Sequence, residues 1–278
     1  MYLVDGPTLL AEAIDAGVEI ETVYVEPGAL DHDAVWAARH AGLRVRDVTA
    51  GALAKVLELD APQHMVAVAA QRRSRVDDLI AASSAAQRPL LVLAGLSDPG
   101  NVGTLVRVAE AAGCAGVLFG PDTADLYNPK TVRATAGAVF RVPVAGVDDL
   151  AGLLATLRAA GTPTVATTGG AEVPAPEAVD LTGAVAVVIG NEAHGLPAEV
   201  VDACDLAVRI PMEGRVESLN AAVAGAAVLF DAARQRRAGD PGRAAEPNGQ
   251  TGTTVGHNVG PRDRRDTDAR GTGEFGDG

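Results

Sequence analysis

Aromatic side chains are scarce: Phe, Trp and Tyr make up 3% of the 278 residues, so the core has to be built from Ala, Val and Leu. Cysteine is scarcer still. Cys114 and Cys204 are the only two and show no paired spacing, which argues against a disulfide framework or a zinc site. No apolar run approaches the roughly 18 residues that a membrane-spanning helix needs. The opening Met-Tyr-Leu-Val-Asp-Gly-Pro has neither a basic start nor an apolar signal core. The expected compartment is therefore the cytoplasm, with no membrane partner. Lysine is nearly absent, Lys55 and Lys130 being the only two, which we read as coding bias. Positive charge is also in deficit, with a net charge of −13. Such a surface excludes non-specific wrapping of nucleic acid and leaves room only for local basic patches. Arg39, Arg44 and Arg46 form one candidate RNA-binding cluster and Arg72, Arg73 and Arg75 another; ordinary solvated arginines account for either equally well.

What is present is a large apolar fraction, 47%, arranged in alternating strand-like and helix-like segments. In the first seventy residues, Tyr2–Val4, Thr22–Val25, Leu43–Val48 and Met65–Ala69 read as strands. Pro7–Ala16, Asp31–Ala41 and Thr49–Leu57 read as helices, the first stopped by Gly17. This predicts a small α/β module over residues 1–72. Residues 73–88 read as a connector, partly helical. From Pro89 the pattern restarts with Leu90–Leu96, a continuous apolar run of the kind a strand buried on both faces requires. A helix from about Val102 and a strand at Gly116–Phe119 complete a βαβ unit. Further strands are expected at Thr164–Thr168, Ala184–Ile189 and Leu206–Ile210, and helices at Asp148–Ala160, Pro197–Ala203 and Leu219–Arg237. The alternation predicts a mostly parallel sheet covered on both faces over residues 89–237. Residues 238–278 hold hardly any large apolar residue and are expected to be disordered, with 5 Arg against 7 Asp and Glu.

Three loops carry the chemistry, each where an apolar strand meets glycine and a few polar side chains. In the first, Asn101 suits a helix N-cap, and Gly100 and Gly103 would let backbone approach a ligand. Val102, Leu105, Val106, Ala109 and Ala112 share one helical face, with Arg107 roughly 150° away. Arg107 is thus free to face solvent, a partner subunit or an anion; a surface arginine beside a routine cap is the plain alternative. The second loop, Gly190-Asn-Glu-Ala-His-Gly195, ends a buried strand and places Glu192 and His194 where ligands of parallel sheets bind. A bland turn accounts for that loop alone. In the third, Ile210-Pro-Met212 runs on to Ser218-Leu-Asn220, where Ser218 suits an N-cap. The helix behind it is rich in small residues, fit for close approach to another helix or a second subunit. Leu219, Val223, Ala227 and Phe230 supply one apolar stripe. Singly these loops say only that the chain is a ligand-binding α/β enzyme; a Rossmann fingerprint is absent.

Together they resemble the three motifs of the SpoU family of RNA ribose methyltransferases. Asn101-x-Gly103-x-x-x-Arg107 is similar to the first motif. Ile189-Gly-Asn-Glu192-x-x-Gly195 is similar to the second, and Ile210-Pro-Met212 with Ser218-Leu-Asn220 to the third. The segment from Asn128 to Pro143 resembles another family stretch, and Leu3-Val-Asp-Gly-Pro-Thr-Leu-Leu10 resembles the opening of the family's small substrate-binding domain. Here Asp5 stands in place of the more usual Glu, and the basic stretch that usually precedes this strand is not in the chain.

The resemblance implies an N-terminal α/β substrate-binding domain and a C-terminal parallel-sheet SPOUT domain with a trefoil knot. It implies S-adenosylmethionine as cofactor, held by Gly190, Ile210, Met212, Ser218 and Leu219, with Thr167 or Thr168 closing the pocket. The partners implied are an rRNA or tRNA substrate and a second copy of the chain, with no metal required. Methyl transfer to a ribose 2′-hydroxyl needs that hydroxyl activated. The resemblance gives this role to Arg107, either as base or as a bidentate phosphate clamp that stabilises the alkoxide. Asn101 and Asn220 would orient the ribose, Ser218 would bond near it, and Glu192 would fix Asn101 or its loop. The competing reading is a resistance-type or other RNA-binding protein of the same fold without turnover; a base-methylating SPOUT relative is disfavoured by the first motif.

Overall fold

The structure is a computed structural model that describes residues 1–57, 63–170, 172–216 and 218–239. Nearly all of the segment expected to be disordered, residues 240–278, lies outside the described residues.

The N-terminal part contains β1 (Tyr2–Asp5), α1 (Pro7–Asp15), β2 (Ile20–Val25), α2 (Asp33–His40), β3 (Val45–Asp47), α3 (Ala52–Leu57) and β4 (Met65–Ala69). The strands form a four-stranded sheet in the order β1-β4-β2-β3. β4 runs antiparallel to both β1 and β2, while β3 is parallel to β2. Its apolar side is filled by small aliphatics such as Val4, Val23, Val25, Ala13 and Val35, all fully buried.

The second part begins with α4 (Val76–Ala86), inside the stretch expected as a connector. Leu79 and Ile80 of α4 are buried in the core, which is why this segment is a packed helix. There follow β5 (Leu90–Leu93), α5 (Pro99–Ala111), β6 (Gly116–Phe119), α6 (Pro129–Ala134), β7 (Val144–Gly146), α7 (Leu150–Ala159) and β8 (Thr164–Thr167). The chain ends in β9 (Ala186–Ile189), α8 (Ala198–Ala203), β10 (Leu206–Val208) and α9 (Ala221–Gly239). α9 runs two residues beyond the expected helix end at Arg237. The six strands pair in the order β10-β8-β9-β5-β6-β7, every neighbour parallel.

Side chains alternate across this sheet as the two-residue period of a strand demands. Leu91, Leu93, Val117, Val187 and Ile189 face α5, α6 and α9. Leu90, Val92, Leu118, Ala186 and Val188 face α4 and α7. The expected stripe of α5 is buried as one face: Val102, Leu105, Val106 and Ala109 are fully buried and Ala112 nearly so. The first core layer continues without a break into the N-terminal sheet. The join is made largely by the 125–141 region. Tyr127 lies against Tyr2 with ring centroids 4.7 Å apart, Arg133 faces Asp5 at 3.6 Å, and Arg141 bonds both Glu12 of α1 and Glu110 of α5.

Two helix starts differ from expectation. α5 is capped by Asp98, whose carboxylate accepts from the Gly100 N–H at 3.1 Å, with Pro99 at the first helical position. Asn101 is therefore inside the first turn, its amide free for other partners. α9 is capped by Asn220, which accepts from the Ala222 and Val223 N–H groups at 2.9 and 3.2 Å; Ser218 is not the cap. Gly103 also serves another purpose than the one expected. A Cβ there would sit 2.5 Å from both the Ala134 side chain and the Thr131 carbonyl, so its absence lets α6, not a ligand, lie against α5. Gly225 does the same for α9, where a Cβ would meet Leu105 at 2.4 Å. Among the described residues, no helix is long and apolar enough to cross a membrane.

Candidate active site

The C-terminal ends of β5 and β9 and the segment that follows β10 converge on one region. Glu192, on the loop after β9, is half-buried and accepts four hydrogen bonds. One comes from the Asn101 amide at 3.0 Å, two from the backbone N–H groups of Ser97 and Asp98 at 3.2 and 3.1 Å, and one from the Ser97 hydroxyl at 3.3 Å. Burial pushes the Glu192 carboxyl up, but the hydrogen bonds from Asn101 and the backbone outweigh it and hold it below the usual carboxylate range. The carboxylate thus stays ionised as an acceptor, locking the loop after β9 onto the loop after β5.

The chain of bonds continues. Asn101 is buried, and its carbonyl oxygen accepts from the Asn220 amide at 2.8 Å. Asn220 in turn accepts from the first turn of α9. The direction of this relay is fixed at both ends, by a carboxylate that can only accept and by helix N–H groups that can only donate. Each amide therefore has a set orientation, and each keeps one N–H outside the relay.

Beside this relay lies a cavity of about 360 Å³. Thr167 and Thr168 form one wall, Gly190 and Glu192 another. Ile210, Met212, Ser218 and Leu219 complete it, so every residue expected to hold the cofactor lines one space. Gly190 is required there, because a Cβ would lie 2.5 Å from Gly195 and Leu196, where the loop folds back on itself through the Asn191–Gly195 bridge. The Thr167 hydroxyl is committed to the Val188 carbonyl at 3.1 Å and contributes shape more than bonding. Ser218 is exposed and, among the described residues, makes no hydrogen bond.

Arg107 sits exposed on α5, away from the buried face, and makes no ion pair among the described residues. The candidate RNA-binding arginines are all exposed but differ in their commitments. Arg39 pairs with Asp47 at 3.8 Å, Arg75 with Asp77 at 3.6 Å, and Arg72 donates to the Gly17 carbonyl at 2.8 Å. Arg44, Arg46 and Arg73 have no such partner among the described residues.

Sequence reasoning passed over three contributors. Ser97 and Asp98 supply three of the four hydrogen bonds to Glu192; the Asp98-Pro99 pair is a helix-start signal that could have found the second. Arg209 lines the cavity with its Nε buried and unpartnered, and nothing in its sequence context marks it. His194, left without a role, also lines the cavity and lies 3.3 Å from the Asn191 side chain.

This geometry agrees with what the chain resembles. Residues 88–230 match the model of the SpoU rRNA methylase family, and residues 1–67 match that of an MRM3-like substrate binding domain. The chain is 38% identical over 203 residues to the 23S rRNA (guanosine-2′-O-)-methyltransferase RlmB of Xylella fastidiosa, covering 72% of this chain and 81% of that protein. Among solved structures, the AdoMet-bound rRNA methyltransferase of Sinorhizobium meliloti superposes with a TM-score of 0.71 at 32% identity, covering 84% of this chain and 87% of the other. The SpoU methyltransferase AviRb of Streptomyces viridochromogenes, in complex with the cofactor AdoMet, gives 0.72 at 29% identity, covering 84% and 89%. With its second and third motif loops lining one cavity, the first tied to them through Glu192, and more than half of its length matched, the chain belongs to the SpoU rRNA methylase family.

Proposed function

We propose that the protein methylates a ribose 2′-hydroxyl in RNA at the expense of S-adenosylmethionine, with ribosomal RNA as the substrate class. The observation that carries this reading is the Glu192–Asn101–Asn220 relay standing beside the cavity. The cavity volume falls within the roughly 300–1,000 Å³ of small-molecule sites. Arg209 supplies a second test of fit: its buried, unpartnered Nε matches the carboxylate that the amino-acid part of S-adenosylmethionine carries. When bound, that molecule supplies an electrophilic methyl group on a sulfonium.

The chain's own residues do the rest. Backbone at Gly190, Ile210 and Leu219 holds the adenosine, Met212 packs against it, Thr168 closes the wall, and Ser218 bonds near the ribose of the RNA. The free N–H groups of Asn101 and Asn220 orient that ribose. Arg107 acts on the hydroxyl, as base or as a clamp on the neighbouring phosphate.

Arg107 acts from a second subunit. The support is the N-terminal half of α9 and the residue before its cap: Val228, Leu229 and Ala232 are fully buried against the core, while Val223, Ala227 and Phe230 of α9, with Leu219 just ahead of it, are exposed. Exposed apolar side chains grouped on one face mark an interaction surface, and a homodimer covers this one. Residues 1–72 then select the RNA, and the 190–195 and 210–220 loops form the trefoil knot.

The deciding experiment incubates the protein with labelled S-adenosylmethionine and total unmodified RNA, followed by nucleoside analysis. A 2′-O-methylated nucleoside is expected; a methylated base, or cofactor binding with no transfer to any RNA, sinks the reading. Phe230→Glu is expected to yield a monomer by sedimentation that binds S-adenosylmethionine poorly or not productively; an unchanged dimer removes the two-subunit site.

A further inference from the structure

We infer that a second cavity, between Phe119 and Tyr127, is a pocket for an unpaired nucleobase of the RNA substrate, a few nucleotides from the one that is methylated. The inference rests on the proposed function and extends it to a subsite on the opposite side of the first-motif loop.

Its position comes from the strand order. The C-terminal ends of β8, β9 and β10 carry the cofactor cavity, β5 carries the Asn101 loop, and β6 and β7 carry the second cavity. The three lie in a row along one edge of the sheet. At about 4.8 Å per strand, the two cavities are on the order of 10–15 Å apart, a span of a few nucleotides. They are also mechanically joined. Thr123, which lines the second cavity, donates to the Leu93 carbonyl and accepts from the Gly95 N–H, both at 3.1 Å. The Ala124 N–H reaches the Leu96 carbonyl at 2.7 Å. The next residues, Ser97 and Asp98, are those held by Glu192.

The lining suits a flat, largely apolar ring with polar edges. Phe119, Tyr127 and Val144 form walls around about 260 Å³, smaller than the roughly 300 Å³ at which drug-sized sites begin. The partly exposed Phe119 ring offers the kind of platform on which splayed bases stack, while Tyr127, buried at 7% exposure, closes the wall behind it. Tyr127 is set in place before any ligand arrives, since its hydroxyl donates to the Arg72 carbonyl and its ring rests on Tyr2. At the rim, Arg73 is exposed and without an ion pair among the described residues, available for a phosphate. Asp125 uses one oxygen on the Tyr127 N–H at 3.0 Å and leaves the other for a base N–H donor. The charge balance favours such a pocket. A chain of net charge −13 gains little from general attraction to RNA, so affinity has to come from stacking and a few placed cations.

Gly146 permits a clean test, because a Cβ there meets nothing within 4 Å. Gly146→Leu fills the cavity from its open side. The expected result is RNA affinity, measured by direct binding, at least tenfold weaker, with S-adenosylmethionine binding and melting temperature unchanged. Arg73→Ala is expected to weaken RNA binding several-fold and to lower the salt slope by about one. An RNA carrying an abasic residue near the modified nucleotide should bind the native protein weakly and lose nothing more with Gly146→Leu. Unchanged RNA affinity in both variants overturns the pocket while leaving the methyltransferase reading intact. Loss of S-adenosylmethionine binding in Gly146→Leu also overturns it. A native protein that neither binds nor methylates RNA overturns both.

Discussion

Beyond the strand ends of the six-stranded sheet, polar side chains reach far along the chain: Asn101 bonds Glu192 and Asn220, 91 and 119 residues away. In the four-stranded sheet the comparable groups take their hydrogen bonds at shorter sequence separations and from within the N-terminal part, although Asp5 also faces Arg133 across the join. Glu26 accepts from the Leu53 N–H and from His64, and Asp5 from the Gln63 N–H. The first set surrounds a cavity and leaves N–H groups to spare. The second set staples loops and surrounds none of the cavities described above. Similar residue types thus do different work, and what separates them is whether the bonded groups stand beside a cavity with N–H groups to spare.

The largest effect expected from breaking this contrast is at Arg107, which belongs to neither network. Arg107→Ala should lower the methylation rate by about 10²–10⁴ with S-adenosylmethionine affinity unchanged, measured by single-turnover assay and calorimetry. Arg107→Lys keeps the charge but not the planar fork. Recovery by lysine would favour a point-charge role, and full activity in the alanine variant would remove Arg107 from the mechanism.

Next in size is the pair Glu192→Ala and Glu26→Ala. The first leaves the buried Asn101 amide without its acceptor, at about 1–3 kcal/mol for an orphaned buried group, while the exposed Ser97 and Asp98 N–H groups turn to water. It should lower the melting temperature by several degrees and weaken cofactor binding together. The second should lower the melting temperature with cofactor binding kept. Equal effects on cofactor binding would erase the distinction between the two networks. The pH dependence has a definite sign. Because the folded Glu192 carboxyl is held below its ordinary value, its contribution is complete above the unfolded carboxylate value of about 4.3 and is lost as pH falls through the lower folded value. Glu192→Gln should remove that acid limb from the cofactor-binding profile.

Arg209→Ala sharpens the same comparison on the cavity side. It should weaken S-adenosylmethionine binding by about tenfold or more, as loss of a charge-assisted bond does, yet leave 5′-methylthioadenosine, which lacks the carboxylate, unaffected. Equal losses for both ligands would show a packing role, and a loss confined to RNA binding would assign Arg209 to a phosphate. The smallest effect belongs to the N-terminal surface. Arg44→Ala with Arg46→Ala should weaken RNA binding a few-fold and flatten its salt dependence by about two, and an unchanged salt slope would return these arginines to the solvated surface.

Much of the fold was legible because strands buried on both faces leave unbroken apolar runs: Leu90–Leu93, Gly116–Phe119 and Met65–Ala69 all stand where those runs predict. β7 was missed because three residues ending in glycine leave too short a pattern. The helix starts were misread for a different reason. Asp98 and Asn101 can both cap α5, and Ser218 and Asn220 can both cap α9. Choosing between neighbouring caps depends on which side chain another segment claims.

The residues around the cofactor cavity were named from their motifs, and the open stripe of α9 was readable as apolar. Its exposure was not, since periodicity says which residues share a face but not what covers it. By itself the sequence determined most of the order of elements, without α6 and β7, together with the parallel character of the second sheet and the polar loops at its strand ends, all of which follow from local periods and caps. Only the tertiary structure decided that Glu192, Asn101 and Asn220 form a directed relay, that Gly103 yields to α6, that Arg209 ends with a buried donor, and that a second cavity opens between Phe119 and Tyr127. These depend on contacts between segments distant in sequence, whose meeting is set by the path of the whole chain.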